Sequence, residues 1–303
     1  MAGHWTDKFI FTTGVVRRKD LGYLVLNDEK LAAKKSPHSS FVSWKAGQWG
    51  DGGTETWTAV SGAIVKHPLE QFIAVGENGE ALLLGSNDRH VEAIADGKLT
   101  PEDRGTIRCV RSIGGKAYAA GMDRQVYRRD GANAWTCIDA SMRPPKESED
   151  ILGFEGIDAF SEKEIYAVGW KGEIWMYDGK KWAQIDSPTN LVLTAVCCAG
   201  DGNVYATGRR GLLLKGRKNK WEVVKQENTK QDLWGMAWYR EELYLSSLEQ
   251  VFILRKEELE AVEIGDDKPQ ISCYHLSAAD GVLWSIGPKD VMAYDGKVWT
   301  RID

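Results

Sequence analysis

The feature that most constrains this chain is that it repeats itself. The segment EIYAVGWKGEIWMYDGKKWAQID (Glu164 to Asp186) returns as KAYAAGMDRQVYRRDGANAWTCID (Lys116 to Asp139). It returns again as NVYATGRRGLLLKGRKNKWEVV (Asn203 to Val224) and as VLWSIGPKDVMAYDGKVWTRID (Val282 to Asp303). A shorter copy, FIAVGENGEALLLG, runs from Phe72 to Gly85, and LYLSSLEQVFILRKEELEAVEI (Leu243 to Ile264) has lost both the Gly and the Trp. Each copy reads as a strand of small residues ending in Gly, a short turn, an apolar strand, Asp-Gly, and a Trp that opens a further strand. An apolar run precedes most copies: IRCVRSI, FEGIDAF, LTAVCC, LWGMAW and ISCYHL. A unit is therefore four short strands, A to D, joined by turns.

The spacing allows the units to be counted. Trp182 and Trp221 are 39 residues apart, and Trp221 and Trp299 are 78 apart, so one full period with Glu260 in the Trp slot lies between them. Upstream, Trp135 and Trp182 are 47 apart, the slot before them falls near His90, and Trp57 opens TWTAV in the same style. Trp57, His90, Trp135, Trp182, Trp221, Glu260 and Trp299 mark seven units of about 43 residues, the size of a four-stranded propeller blade. A lone four-stranded sheet leaves both faces exposed, and stacking the sheets around a ring covers them. The fold expected is all-β, a single seven-bladed β-propeller of four-stranded antiparallel blades, with six blades as the fallback. The blades span approximately 6–60, 61–94, 106–139, 152–187, 191–226, 231–265 and 270–303.

Asn78-Gly79, Asp130-Gly131, Asp178-Gly179, Asp201-Gly202 and Asp295-Gly296 read as type I′ hairpin turns. The Trp opening strand D is expected to pack between blades. Trp5 resembles the start of a D strand, yet VWTRID already fills that slot at the C-terminus. The ring therefore closes either at a seam without strand exchange or through a first blade built differently, and the second is the expectation.

This pattern resembles the broad WD40/YVTN/BNR-like group of β-propellers over nearly the whole chain, the first unit being weakest. The resemblance implies the fold and little about function. The Asp-box of that group, Ser-x-Asp-x-Gly-x-x-Trp, is here Tyr-Asp-Gly-Lys-Lys-Trp at Tyr177 to Trp182, and the Gly-His and Trp-Asp dipeptides of WD40 repeats are missing. A sialidase-like Tyr nucleophile with an arginine triad is also missing, so the resemblance brings no catalytic residues.

Composition narrows the classes further. With 39 Lys+Arg against 44 Asp+Glu the net charge is −5, against the basic surface a general nucleic-acid binder needs. No apolar run approaches the length of a membrane-spanning helix, and MAGHWTDKFIFTTG does not read as a secretory leader. The five cysteines (Cys109, Cys137, Cys197, Cys198, Cys273) are odd in number, lie in apolar strand-like runs, and fit neither a disulfide framework nor metal knuckles. They read as small buried hydrophobes in a cytoplasmic protein. The histidines (His4, His38, His67, His90, His275) show no zinc-ligand spacing, and no metal or cofactor is expected. GENG (Gly76 to Gly79) and GRRG (Gly208 to Gly211) look like phosphate loops but recur at one turn of each unit, so they read as hairpins. Acidic groups such as Glu147, Glu149 and Asp150, or Asp266 and Asp267, read as solvated loop charges. Nothing points to an enzyme.

A partner is expected at the face carrying the B–C turns and D–A connections, around the channel mouth. The turns hold Asp123-Arg124, Trp170-Lys171 and Arg209-Arg210, and strand A places Arg108, Glu155 and Trp234 nearby. The long excursions Ala95 to Gly105 and Ser141 to Asp150 overhang that face. Trp170 is the salient candidate, since the equivalent positions (Glu77, Met122, Arg209, Pro288) show that the turn does not need an aromatic. The alternative is that Trp170 folds back on a neighbouring blade and that Arg108 and Glu155 form an ion pair between blades. Trp238, on the same side of strand A as Trp234, reads as packing between blades. The reading is a non-catalytic protein-binding propeller, monomeric by itself, engaging a protein partner and neither nucleic acid nor membrane. One concrete form is an immunity protein neutralising a toxin or effector. The rivals are a carbohydrate-active or lectin-like propeller with Glu155, Asp158 and a third acid at the channel mouth, and a complex-assembly factor of BNR-like type.

Overall fold

A computed structural model describes residues 7–85, 88–145, 150–264 and 272–303. His4, Trp5, Glu147, Glu149, Asp266 and Asp267 lie outside the described residues. The protein is a seven-bladed β-propeller, each blade four consecutive antiparallel strands in chain order A-B-C-D. Blade 1 runs from Phe9 to Glu55, blade 2 from Ala59 to Ala93, blade 3 from Ile107 to Cys137 and blade 4 from Phe154 to Ile185. Blade 5 runs from Leu193 to Val223, blade 6 from Gly235 to Ala261 and blade 7 from His275 to Arg301. Contacts group the chain into two compact units, 60–224 and 1–59 with 225–303. Among the described residues no helix is long and apolar enough to cross a membrane.

Strand B shows why the repeat is written in small apolar residues. In blade 3 residues 117–121 of strand B are buried, as are 165–169 in blade 4, because neighbouring sheets cover both faces. The Gly that ends strand B answers to a close approach of backbone. A Cβ on Gly121 would lie 2.3 Å from the Thr106 carbonyl oxygen, and one on Gly169 would lie 2.0 Å from that of Gly153. Blade 6 has Ser246 in that place and keeps the approach by putting Gly235 opposite it.

The Trp at the head of strand D does pack between blades. Trp182 lies 5.2 Å from Tyr177 and 6.3 Å from Phe154, and its indole N–H donates to the Ile138 carbonyl at 3.1 Å. Trp135 donates to Glu92 of blade 2 at 3.3 Å. In the first blade the slot belongs to Trp49, stacked 6.4 Å from Phe11, whereas Trp57 is buried in the link to blade 2 against Phe41. The slot count is right and its first marker is corrected.

The turns also differ from expectation. Gly79, Gly179, Gly202 and Gly296 have φ of 100, 93, 83 and 92°, but the residues before them are not left-handed, so these are not type I′ turns. Asp178 instead accepts from the backbone N–H groups of Lys180 and Lys181, both at 2.8 Å, and Asp295 does the same for Lys297 and Val298. Successive left-handed residues occur at Ala46-Gly47, Gly114-Gly115, Arg240-Glu241, Lys256-Glu257 and Asp280-Gly281.

Inner strands are clamped by side chains. The Ser61 hydroxyl accepts from the Val110 N–H at 3.1 Å, Asp158 accepts from the Cys198 N–H at 2.8 Å, and Ser277 accepts from the Val16 N–H at 3.0 Å. The last of these joins blade 7 to blade 1, helped by Phe11 N–H to the Pro288 carbonyl at 3.1 Å and Lys19 N–H to Asp280 at 3.0 Å. Both blades complete their own sheets, so this seam has no strand exchange. Blade 1 is also built differently: strand A has ten residues, and its B–C connection carries a short helix, Glu29–Ala33.

The most deeply buried ion pair lies between blades 2 and 3. Arg129 and Glu92 are 1% and 0% exposed and meet through two bonds of 2.8 and 2.6 Å. Burial alone would raise the Glu92 carboxyl, and the bonds and charge of Arg129, with hydrogen bonds from the Asn133 backbone and His90, together outweigh it and hold it below the ordinary range. Glu92→Gln strands the guanidinium and is expected to cost about 3–5 kcal/mol in urea unfolding. The double variant Glu92→Leu with Arg129→Met should recover part of that loss.

Candidate partner-binding face

In four blades strand A carries an extra residue near its start, relative to the strand it pairs with. The register steps from Phe11 to Thr13, Ile107 to Cys109, Phe154 to Gly156 and Leu193 to Ala195, leaving Thr12, Arg108, Glu155 and Thr194 as bulge residues. A bulge re-aims a side chain without disturbing the strand beyond it. These four sit where the chain enters strand A, the end of the blade that also carries the B–C turn.

In the unit 60–224 the bulges of blades 3 and 4 meet. Arg108 Nε donates to Glu155 Oε2 at 3.0 Å, and the Trp170 indole N–H donates to Glu155 Oε1 at 2.8 Å. The inter-blade ion pair foreseen as an alternative is therefore present, whereas the Trp170 bond to the same carboxylate stays within blade 4. Trp170 opens a single 3-10 turn, Trp170–Gly172, in which Lys171 is left-handed at φ 55°. Blade 5 repeats the turn at Arg209–Gly211, with Arg210 at φ 59°.

The other candidates differ in how far they are committed to the fold. Arg124 is turned inward: it bonds Glu173 at 2.8 and 2.5 Å and the Met142 carbonyl at 3.3 Å, and lies 5.1 Å over Trp175. Asp123 takes a bond from Arg104 at 3.2 Å, and Arg104 also reaches the buried Asp139 at 2.8 Å. Lys171 pairs with Asp150 at 2.5 Å with both side chains exposed, a contact worth roughly 0–1 kcal/mol. Arg209 and Arg210 are exposed. In the other unit, Trp234 is half-buried with its ring 5.8 Å from Tyr274, and its N–H donates to the Ser246 carbonyl at 2.7 Å.

Exposed apolar residues accompany both groups, and the sequence reading did not single them out. Ile151, 58% exposed, follows Asp150 in the D–A connection ahead of blade 4, while Leu248, 51% exposed, lies in the B–C turn of blade 6. The available signal was a large aliphatic residue at a position where other turns are polar.

The geometry gives the rival glycosidase arrangement little. Both oxygens of Glu155 are taken, and Asp158 holds a backbone amide. Among the described residues no group of three or more His, Cys, Asp or Glu side chains is placed to hold a metal. None of the five cysteines is in a disulfide, and burial pushes the Cys109 thiol up to about 12, which leaves it a packing residue. GENG and GRRG are turns that lead into strands.

Comparison with known proteins now adds to this picture. No established family profile matches the chain. The immune protein Tsi7 of Pseudomonas aeruginosa is 48% identical over 295 residues, covering 96% of each chain. This chain belongs to the Tsi7 immune-protein family. Among solved structures, the WD40 propeller domain of Doa1 aligns at TM-score 0.66 with 13% identity, over 99% of this chain and 94% of that one. YCF48 bound to D1 peptide aligns at 0.66 with 14% identity, over 93% and 90%. At such identities the structural matches speak for the fold of this Tsi7 relative and no more.

Burial raises the Asp158 carboxyl above its ordinary range, so its charged form weighs against folding. The penalty is absent below the unfolded value of about 4, grows as pH rises to the folded value, and is constant above it. Asp158→Asn keeps an oxygen for the Cys198 amide. It should be as stable as wild type at pH 3 and more stable at pH 7, as read from thermal unfolding at both pH values.

Proposed function

We propose that this protein is an immunity protein that binds a protein toxin and blocks it sterically, without catalysis of its own. The observation that carries this reading is the 48% identity to an immune protein over 96% of the chain. The binding surface in this reading is the end of the blades that holds the B–C turns and D–A connections. There, in the unit 60–224, Arg209 makes no side-chain hydrogen bond or ion pair among the described residues, and Ile151 offers apolar area to cover. The protein works as a monomer in the cytoplasm, where a toxin would act, and contacts neither nucleic acid nor membrane.

Affinity-tagged protein, recovered from native lysate and analysed by mass spectrometry, should hold one protein at equal stoichiometry. Expression of that protein alone should arrest growth, and co-expression with this chain should restore it. Absence of a stoichiometric protein, or arrest that persists on co-expression, would refute the reading.

A further inference from the structure

The charged cluster at the bulges of blades 3 and 4 is built in an asymmetric way. Glu155, 14% exposed, spends both oxygens on its neighbours, one on Arg108 and one on Trp170. Arg108 is 41% exposed and spends only Nε on that pair. Its two terminal nitrogens bond to nothing among the described residues. A guanidinium gripped along one side by a carboxylate presents its far edge as a fixed pair of parallel donors. The bulge leaves Arg108 out of the sheet register, with its side chain 41% exposed, and the Trp170 indole, anchored by Glu155, is held beside the same carboxylate.

We propose that Arg108 is the anchor for an acidic side chain of the protein partner, an Asp or Glu whose two oxygens take the open edge of the guanidinium. This rests on the binding role proposed above. The chemistry favours a carboxylate over a phosphate group. Arg108 and Glu155 cancel in charge, so the site tolerates one added negative charge where a dianion would meet Glu155 uncompensated. Glu155 and Trp170 are positioning residues, because they fix the plane of the guanidinium and have no donor left to offer. Pre-organising a long side chain before binding removes much of the ordering cost that an exposed arginine carries.

The probe is the protein that wild-type chain retains at equal stoichiometry, produced in pure form, with affinities measured by titration calorimetry. Arg108→Ala should weaken binding by about ten-fold or more. Arg108→Lys, which keeps the charge and loses the paired donors, should lose nearly as much. In the partner, one Asp→Asn or Glu→Gln change should reproduce the loss, and combined with Arg108→Ala it should weaken binding no further. The partner-side change leaves this chain untouched, so the test survives if Arg108→Ala folds poorly. If wild type retains no protein, the binding role itself fails. If wild type binds while Arg108→Ala stays within about two-fold, or Arg108→Lys binds like wild type, or no partner carboxylate couples to Arg108, the anchor is refuted and the binding role stands.

Discussion

Every blade of this protein has two apolar faces, and only another blade can cover them. That demand reaches down to single residues. It makes strand B a run of Ala, Val and Tyr with nothing exposed, and it places an indole at the head of strand D where two sheets meet. It also explains why charged residues inside the stack come in satisfied groups. Arg129 with Glu92, and Arg124 with Glu173, each join one blade to the next through two bonds. At the seam between blades 7 and 1, where many propellers exchange a strand, an apolar cluster that includes Leu24, Val42, Trp284 and Ile286 joins the two blades alongside the backbone and side-chain bonds.

How much of this was legible in the sequence follows from what each residue answers to. Blade number and strand order were legible because Gly, Asp-Gly and Trp each serve a constraint that recurs in most units at the same place. The first blade was the least readable. Its Trp49 sits inside the Gly-rich strand Gln48–Glu55, which lacks the apolar pattern of its counterparts, so the eye settles on Trp57 instead. Turn types were misread at Asp178 and Asp295, since an Asp side chain that caps two backbone amides removes the need for a left-handed residue there. The left-handed pairs fell instead on Arg240-Glu241 and Lys256-Glu257, where nothing in the residue types announces them.

The candidate face was legible as a location and less so in its detail. Strand order alone brought Arg108, Glu155 and Trp170 to one edge. It could not tell which of the arginines in the B–C turns would be drawn inward, because that depends on Glu173 and Trp175 of the next blade waiting beneath Arg124. The outcome is a division of labour among like residues: Arg124 belongs to the framework, Arg209 is exposed and makes no side-chain bond among the described residues, and Arg108 is half of each.

The extra residue at the start of strand A separates two tasks that one chain usually has to compromise between. It is skipped by the sheet register, so the blade closes in the same way whether that residue is Thr12, Arg108, Glu155 or Thr194. A lineage under pressure to follow a changing opponent could rewrite these letters one at a time, altering what the molecule grips while leaving the architecture beneath untouched.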